Sequence, residues 1–244
     1  LPIASVERPK AWKKLHQDFN EAVAKVQQCA GTDQSQFSLT CVHIHPKWVE
    51  ATDNFQICRW RLATAIESPT LVRQSSLKNI KQLGMGEFAE TKAWLHFRNS
   101  QGLVVSCRRY MEVEDFPDLG LFLKVAGEPI TLPKALAGAA EKAQVFSDEN
   151  VQDNHILVDL QPGKVRVKGQ GITGWYKEKK KIKYQGKPLR FYVSPTILAD
   201  IVRSHSDCFI TPAMLKVDAG AYKYATCLFA PEDKGQGQGQ QQEE

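Results

Sequence analysis

Apolar and polar residues alternate along this chain with two different periods, and the same order of segments occurs twice. Apolar residues recur at helical spacing over 12–26 and again over 136–146. Both segments are followed by stretches that alternate at every second position, as strands with one exposed side do. The predicted strands of the first half are 37–44, 47–62, 92–98 and 103–110. Those of the second half are 156–160, 164–168, 189–193, 208–211, 214–217 and 222–229.

Turn and cap residues support this order of segments. The sequence N-S-Q-G at 99–102 is typical of a hairpin turn between two strands. Ser75 or Ser76 could cap a short helix. Pro195 suits the first position of another helix, because the N–H that proline lacks has no partner there.

The two halves predict an α+β protein of two similar domains, each with two helices packed on antiparallel sheet. We expect the domains at 11–126 and 127–230, after a linker at 1–10. The last segment, 231–244, is rich in Gly and Gln and is predicted to be a disordered tail.

Composition and charge narrow the class of protein. The chain is 42% hydrophobic and 24% charged, as globular proteins are, and no apolar run is long enough to span a membrane. The net charge of +5 permits an anionic partner without requiring one. Six cysteines without a C-x-x-C pair indicate reduced thiols, which favours a cytoplasmic protein.

Short motifs in both halves carry a family resemblance. They are A-T-D at 51–53, D-F-P-D at 115–118, Y-Q-G at 184–186, and the segments 191–200 and 222–228. In order and spacing, they resemble the middle and C-terminal domains of the DNA polymerase sliding clamp, bacterial DNA polymerase III beta subunit type. The resemblance implies the DNA-clamp fold. Two motifs depart from the family: N-F-Q at 54–56 replaces G-H-R, and T-C-L at 226–228 replaces the terminal M-P-M.

The resemblance implies a processivity factor that is not an enzyme, with no catalytic residue, metal or cofactor. Its ring would encircle double-stranded DNA without sequence specificity, as a dimer if a first domain precedes Leu1 and as a trimer if two domains suffice. Non-specific phosphate binding has a Kd of roughly 10⁻⁴–10⁻⁶ M, so a closed ring replaces affinity by topology. A mildly basic lumen then suffices, in agreement with the net charge.

In this family the helices line the hole, so polar helix positions are the candidates to face DNA. On any one exposed helix, a lysine is more often simply solvated. The residues expected to face DNA are Lys13, Lys14, Gln34, Arg73, Lys78, Lys81, Lys134, Lys142 and Arg203.

The family also tethers DNA polymerase and the clamp loader, which dock short linear motifs in an apolar groove between these two domains. Phe55 and Ile57 could instead be ordinary core residues of a strand. By position in the resemblance, the groove residues are Thr52, Asn54, Phe55, Gln56, Ile57, Pro129, Ile130, Met214, Leu215, Tyr224, Thr226, Cys227 and Leu228.

Other interpretations remain open. The altered motifs permit a clamp-fold interaction module outside replication. Cys41, His43 and His45 share one side of a predicted strand and are zinc-ligand types, but three ligands along one strand diverge too little to surround a tetrahedral ion. A zinc-binding protein is therefore the less favoured alternative. The basic run 177–183 is expected on an edge strand or loop, where lysines block unwanted sheet pairing, and a DNA-binding patch is its alternative function.

Overall fold

The computed structural model describes residues 3–147, 155–172 and 174–231, and these form two compact units. The first unit holds residues 3–126 together with Lys216–Thr226. The second holds the described residues of 127–215 together with 227–231. Nearly all of the predicted tail, 232–244, lies outside the described residues.

Helices and strands follow one another along the chain in a mixed order. The helices are α1 (Phe19–Val26), α2 (Gln74–Leu77), α3 (Ile80–Leu83), α4 (Leu119–Leu123), α5 (Ala135–Gln144) and α6 (Pro195–Ser204). The strands of the first half are β1 (Lys13–Lys14), β2 (Cys41–His45), β3 (Trp48–Thr52), β4 (Gln56–Arg61), β5 (Thr70–Arg73), β6 (Glu87–Glu90), β7 (Trp94–Arg98) and β8 (Val104–Arg108). The strands of the second half are β9 (Glu128–Thr131), β10 (Ile156–Gln161), β11 (Lys164–Gly171), β12 (Gly174–Lys181), β13 (Leu189–Val193), β14 (Asp207–Ile210), β15 (Met214–Ala219) and β16 (Tyr222–Cys227).

The first unit is built on two antiparallel sheets. One has the strand order β1-β6-β7-β8, and the other contains β5-β2-β3-β4-β16 in that order. In the second sheet, Tyr222 lies opposite Trp60 and Thr226 lies opposite Gln56. A late segment of the chain thereby completes the sheet of the first unit.

Helix α1 carries the core of the first unit. Its apolar side buries Phe19, Ala22, Val23 and Val26, and the Phe19 ring lies 5.7 Å from the Phe97 ring of β7. Aromatic pairs at this separation add to the stabilisation that burial provides.

The second unit is an antiparallel sheet of order β12-β11-β10-β13 with helix α5 on one face, together with α6 and the β9–β14 pair. The small buried residues of α5 allow the helix to approach the sheet closely. A Cβ atom at Gly169 of β11 would lie only 1.9 Å from the carbonyl oxygen of Ala143 in α5. One face of the sheet is therefore closed by α5.

The predicted α+β plan with antiparallel sheets is confirmed, but four local predictions are wrong. The strand predicted over 47–62 is two strands, β3 and β4, joined by a turn. The helix predicted over 12–26 begins only at Phe19, because β1 pairs with β6 instead. The strand predicted over 37–44 begins at Cys41, after a 3-10 turn in which the Thr40 hydroxyl donates to the Phe37 carbonyl at 2.7 Å. Helix α2 begins at Gln74, so neither predicted serine caps it.

The basic run lies where the sequence placed it. Strand β12 is at the edge of its sheet, and its side chains alternate between half-buried and exposed. Among the described residues, no helix has the length and apolar character needed to cross a membrane.

Candidate partner and nucleic-acid surfaces

The β3–β4 hairpin presents an exposed aromatic ring. The carboxylate of Asp53 accepts hydrogen bonds from the backbone N–H groups of Phe55 (2.9 Å) and Gln56 (2.8 Å). Asn54 has a φ of 75°, a conformation that asparagine tolerates better than most residues. The Thr52 hydroxyl oxygen accepts from the Asn54 N–H at 3.1 Å. This turn leaves the Phe55 side chain 51% exposed.

Strand β16 supports this hairpin from the neighbouring position. The Tyr224 hydroxyl donates to Gln56 Oε1 at 2.9 Å, and the Thr226 hydroxyl donates to the Phe55 carbonyl at 3.4 Å. Burial raises the pKa of Tyr224 well above its ordinary value, so its hydroxyl stays a donor. Ile57 lies opposite Ala225 and is buried. Within the first unit, the fold thus brings together the predicted groove residues of the 52–57 segment with Tyr224 and Thr226 of β16.

The other predicted groove residues belong to the second unit. Pro129 is exposed, whereas Met214 and Cys227 are half-buried. Ile130, Leu215 and Leu228 are buried. These last three side chains support the fold and offer little surface to a partner. The second-unit members are Pro129, Ile130, Met214, Leu215, Cys227 and Leu228.

The residues expected to face DNA lie on several kinds of element. Lys13 and Lys14 are on β1, not on a helix, which corrects their predicted setting. Gln34 lies in a loop, and the Arg73 guanidinium stacks 5.0 Å from the Phe37 ring centre. The remaining candidates lie on or next to helices: Lys78, Lys81, Lys134, Lys142 and Arg203.

Several of these cations already have a carboxylate partner. Lys13 binds Glu67 at 2.8 Å, and Lys142 lies 4.0 Å from Glu178. Exposed ion pairs of this kind contribute little to stability. They do reduce the positive potential that DNA would meet. Two further pairs join helices, Lys81 with Glu21 and Arg203 with Glu141.

Comparison with solved structures identifies the fold. No protein-family model matches the chain, and no curated protein matches its sequence. A DNA polymerase sliding clamp from Pseudomonas aeruginosa is 12% identical, with a TM-score of 0.76 over 93% of this chain and 68% of that chain. The DNA polymerase III beta chain of Streptococcus pneumoniae is 18% identical, with a TM-score of 0.76 over 93% of this chain and 67% of that one. The chain has the sliding-clamp fold.

A third clamp structure concerns a tethering region. The beta sliding clamp of C. crescentus, with polyethylene glycol bound at a proposed beta-motif tethering region, is 15% identical and has a TM-score of 0.76. The match covers 93% of this chain and 68% of that chain. Across these neighbours, the clamp fold of this chain spans about two thirds of their length.

Helix α4 of this clamp fold is an apolar surface that the sequence analysis missed. Leu121 is 67% exposed, Phe122 49% and Val125 41%. The buried amino group of Lys216 donates to the carbonyls of Leu123 (3.0 Å) and Val125, and burial lowers its pKa. The signal was available in the sequence, because α4 reads L-G-L-F-L without a polar face.

Two residues of the less favoured zinc alternative, His43 and His45, make other contacts in this fold. His43 Nδ1 lies 2.8 Å from the buried Glu50 carboxylate, which also accepts from Trp48 (2.9 Å) and Arg59 (2.6 Å). The His45 ring stacks on Trp48 at 3.6 Å. Three donors compensate the buried charge of Glu50, so this cluster has a structural explanation. In the described part of the chain, no group of three or more His, Cys, Asp or Glu side chains could hold a metal ion.

Proposed function

We propose that this protein is a DNA sliding clamp, a homo-oligomeric ring that encircles double-stranded DNA without reading its sequence. The observation that carries the proposal is the sliding-clamp fold itself, which extends over 93% of the chain. A closed ring holds DNA by topology. Its side chains then have two tasks, which are to contact the phosphates of the duplex and to offer partners a docking site. No side chain is assigned a catalytic role.

The cations on or next to the helices suit a sliding ring, because neighbouring carboxylates offset part of their positive charge. Lys78 and Lys134 make no ion pair within the described residues, whereas Lys81, Lys142 and Arg203 each have a carboxylate partner. Long, exposed side chains of this kind can contact phosphates without fixing the register of the DNA. A surface with few free cations favours movement along the duplex over tight binding.

Tethering of a DNA polymerase, and of the clamp loader, is assigned to the exposed Phe55 hairpin. An apolar side chain held by a rigid turn is a suitable anchor for a short apolar segment of a partner. Thr226 and Tyr224 fix the hairpin through the hydrogen bonds described above. The tethering region named for the C. crescentus clamp supports a site of this kind on the fold.

The tethering site is tested by Phe55→Ala. Truncating a central apolar anchor typically costs about 1–4 kcal/mol of binding free energy. We expect a fluorescein-labelled apolar segment of the cognate polymerase to bind the variant more weakly in an anisotropy titration. Leu103→Ala is the matched control, because Leu103 is 45% exposed, close to the 51% of Phe55, but lies beside β8 in the β1-β6-β7-β8 sheet. Equal affinity of wild type and Phe55→Ala would reject this assignment.

Leu228→Ala is unsuitable for the same test. Leu228 is only 6% exposed, and its N–H donates to the Ala213 carbonyl at 2.8 Å. Truncating a buried leucine typically costs about 2–5 kcal/mol of folding free energy. A weaker peptide affinity in that variant would therefore report on the fold.

The ring is tested by the mass of the intact protein in solution. Light scattering should give a dimer or a trimer, and a homo-oligomer fits the closed symmetry on which a ring depends. All six cysteines are free, which agrees with a reducing compartment such as the cytoplasm. A monomer at every concentration would favour the other candidate, a clamp-fold interaction module outside replication. The altered N-F-Q turn at 54–56 is the feature that favours that candidate.

A further inference from the structure

The open face of the β12-β11-β10-β13 sheet carries an unusual concentration of positive charge. Strands β11 and β12 pair so that three cations of one strand lie directly opposite three cations of the other. Like charges in such facing positions are destabilising, because their Cβ atoms lie only about 4.5–5.5 Å apart. The three pairs are Lys164 with Lys181, Arg166 with Lys179, and Lys168 with Lys177.

These six side chains all point away from the helices. The alternate residues of β11, Val165 and Val167, are buried on the side that α5 covers. On β12, Glu178 lies on that same side, where Lys142 of α5 approaches it to 4.0 Å. The cation pairs therefore occupy the opposite, solvent-facing side of the sheet.

Little negative charge compensates this face. Among the described residues, its carboxylate is Asp159 of β10, which binds Arg166 at 3.1 Å. The other five members of the three pairs make no ion pair within the described part of the chain. Arg190 of β13, opposite Asp159, adds a further exposed cation. Counted over the described residues, this face thus carries seven cations and one carboxylate, while the whole chain has a net charge of only +5.

Protection of a sheet edge explains only half of this pattern. Lysines on β12 would block pairing with another strand, because β12 is the edge strand. Strand β11 is interior, paired on both sides, and has no free edge to protect. Cations at Lys164, Arg166 and Lys168 need a different explanation.

We propose that this open face binds single-stranded DNA. The cation pairs form a ladder along the strands, with rungs two residues or roughly 6.7 Å apart. A nucleic-acid backbone supplies negative charges at a regular repeat, which such a ladder complements. An acidic peptide would supply them only where its sequence has carboxylates.

Two exposed aromatic side chains favour a single strand over a duplex. Trp175 of β12 is 66% exposed. It precedes Lys177 by two residues, so it lies on the same face of the sheet as the cation pairs. Tyr192 of β13 is 37% exposed and points to the same open face. Aromatic side chains beside a basic groove bind unpaired bases by stacking, and a duplex keeps its bases stacked inside. This surface is separate from the helix-side residues assigned to duplex DNA, so the inference does not rest on encirclement.

The test is an anisotropy titration of fluorescein-labelled oligo(dT) against the intact protein over a range of salt. Lys168→Ala/Lys177→Ala should weaken binding at least tenfold in low salt. It should also lower the slope of log affinity against log salt by about 1.4, at about 0.7 for each lost phosphate contact. Trp175→Ala should weaken binding by roughly 5- to 100-fold, and Trp175→Phe should largely restore it, because phenylalanine keeps a stacking face.

Three controls decide between this proposal and its rivals. Lys47→Ala/Lys92→Ala, at two exposed lysines of the first unit that are not assigned to DNA, should leave oligo(dT) affinity unchanged. Lys168→Ala/Lys177→Ala should melt no lower than wild type, because it relieves like-charge repulsion between facing lysines. Duplex DNA or poly-glutamate that competes as well as unlabelled oligo(dT) would overturn the single-strand assignment. Unchanged oligo(dT) affinity in Lys168→Ala/Lys177→Ala would overturn the site altogether.

Discussion

At the scale of single residues, His96 is a buried titratable group that makes the stability of the fold depend on pH. Its side chain lies between Ser106 Oγ (2.8 Å from Nδ1) and Thr91 Oγ1 (3.2 Å from Nε2). The residue is 1% exposed, and burial lowers its pKa below the ordinary value. The native state therefore holds a neutral imidazole, whereas the unfolded chain binds a proton below about pH 6.5.

This difference predicts a loss of stability in acid. The unfolded state binds more protons at His96, so the contribution is fully present above the unfolded pKa and is lost as pH falls through the folded pKa. Urea midpoints should fall between pH 7.5 and pH 5.5 by more in wild type than in His96→Gln, which cannot titrate. An equal fall in both proteins would show that other groups cause the acid sensitivity.

The sequence could locate single residues better than it could describe their exposure. Asp53 was located by the A-T-D motif at 51–53, and its carboxylate accepts the two N–H groups that close the β3–β4 hairpin. Phe55 and Leu228 were both assigned to the groove, yet Phe55 is 51% exposed and Leu228 only 6%. Exposure depends on which distant strand covers a side chain, and β4–β16 pairing is not encoded in either strand alone.

At the scale of elements, the close approach of α5 to β11 makes a second prediction. Gly169→Ala places a Cβ atom 1.9 Å from the Ala143 carbonyl oxygen, so backbone must move. Overpacking of this kind typically costs about 1–3 kcal/mol of stability. Gly138→Ala in α5 is the control, because no atom lies within 4 Å of the new methyl group and alanine favours a helix by about 1 kcal/mol. Chemical denaturation should therefore show opposite shifts, and a neutral Gly169→Ala would contradict the observed packing.

Elements with a regular period were predictable, and those that depend on a partner were not. Helices α5 and α6 and the hairpin at 99–102 lie where the pattern and the turn residues placed them. Strand β1 was mistaken for helix because Trp12 and Leu15 also fit a helical stripe. In the fold, the Arg98 guanidinium lies 4.3 Å from the Trp12 ring centre, and the Leu15 N–H donates to the Gly86 carbonyl.

At the scale of the whole molecule, net charge conceals how the charges are distributed. A net charge of +5 agreed with a mildly basic protein, and the family resemblance placed its DNA-facing cations on helices. The structure instead pairs several helix cations with carboxylates and places six facing cations, of which Arg166 alone has a carboxylate partner among the described residues, on the open face of one sheet. The sequence pattern does not fix where β11 ends and β12 begins. Only the register of the paired strands therefore shows that Lys168 faces Lys177.

Encirclement of DNA is the central claim, and topology tests it most directly. The intact protein is loaded by its clamp loader onto a nicked circular duplex and passed through a gel-filtration column. A clamp should co-elute with the circle, leave when a restriction enzyme linearises the DNA, and remain when bulky proteins block both ends. Such retention should also be the same on circles of unrelated sequence. Equal retention on circular and open linear DNA would contradict the account, because a protein held only by phosphate contacts does not distinguish them.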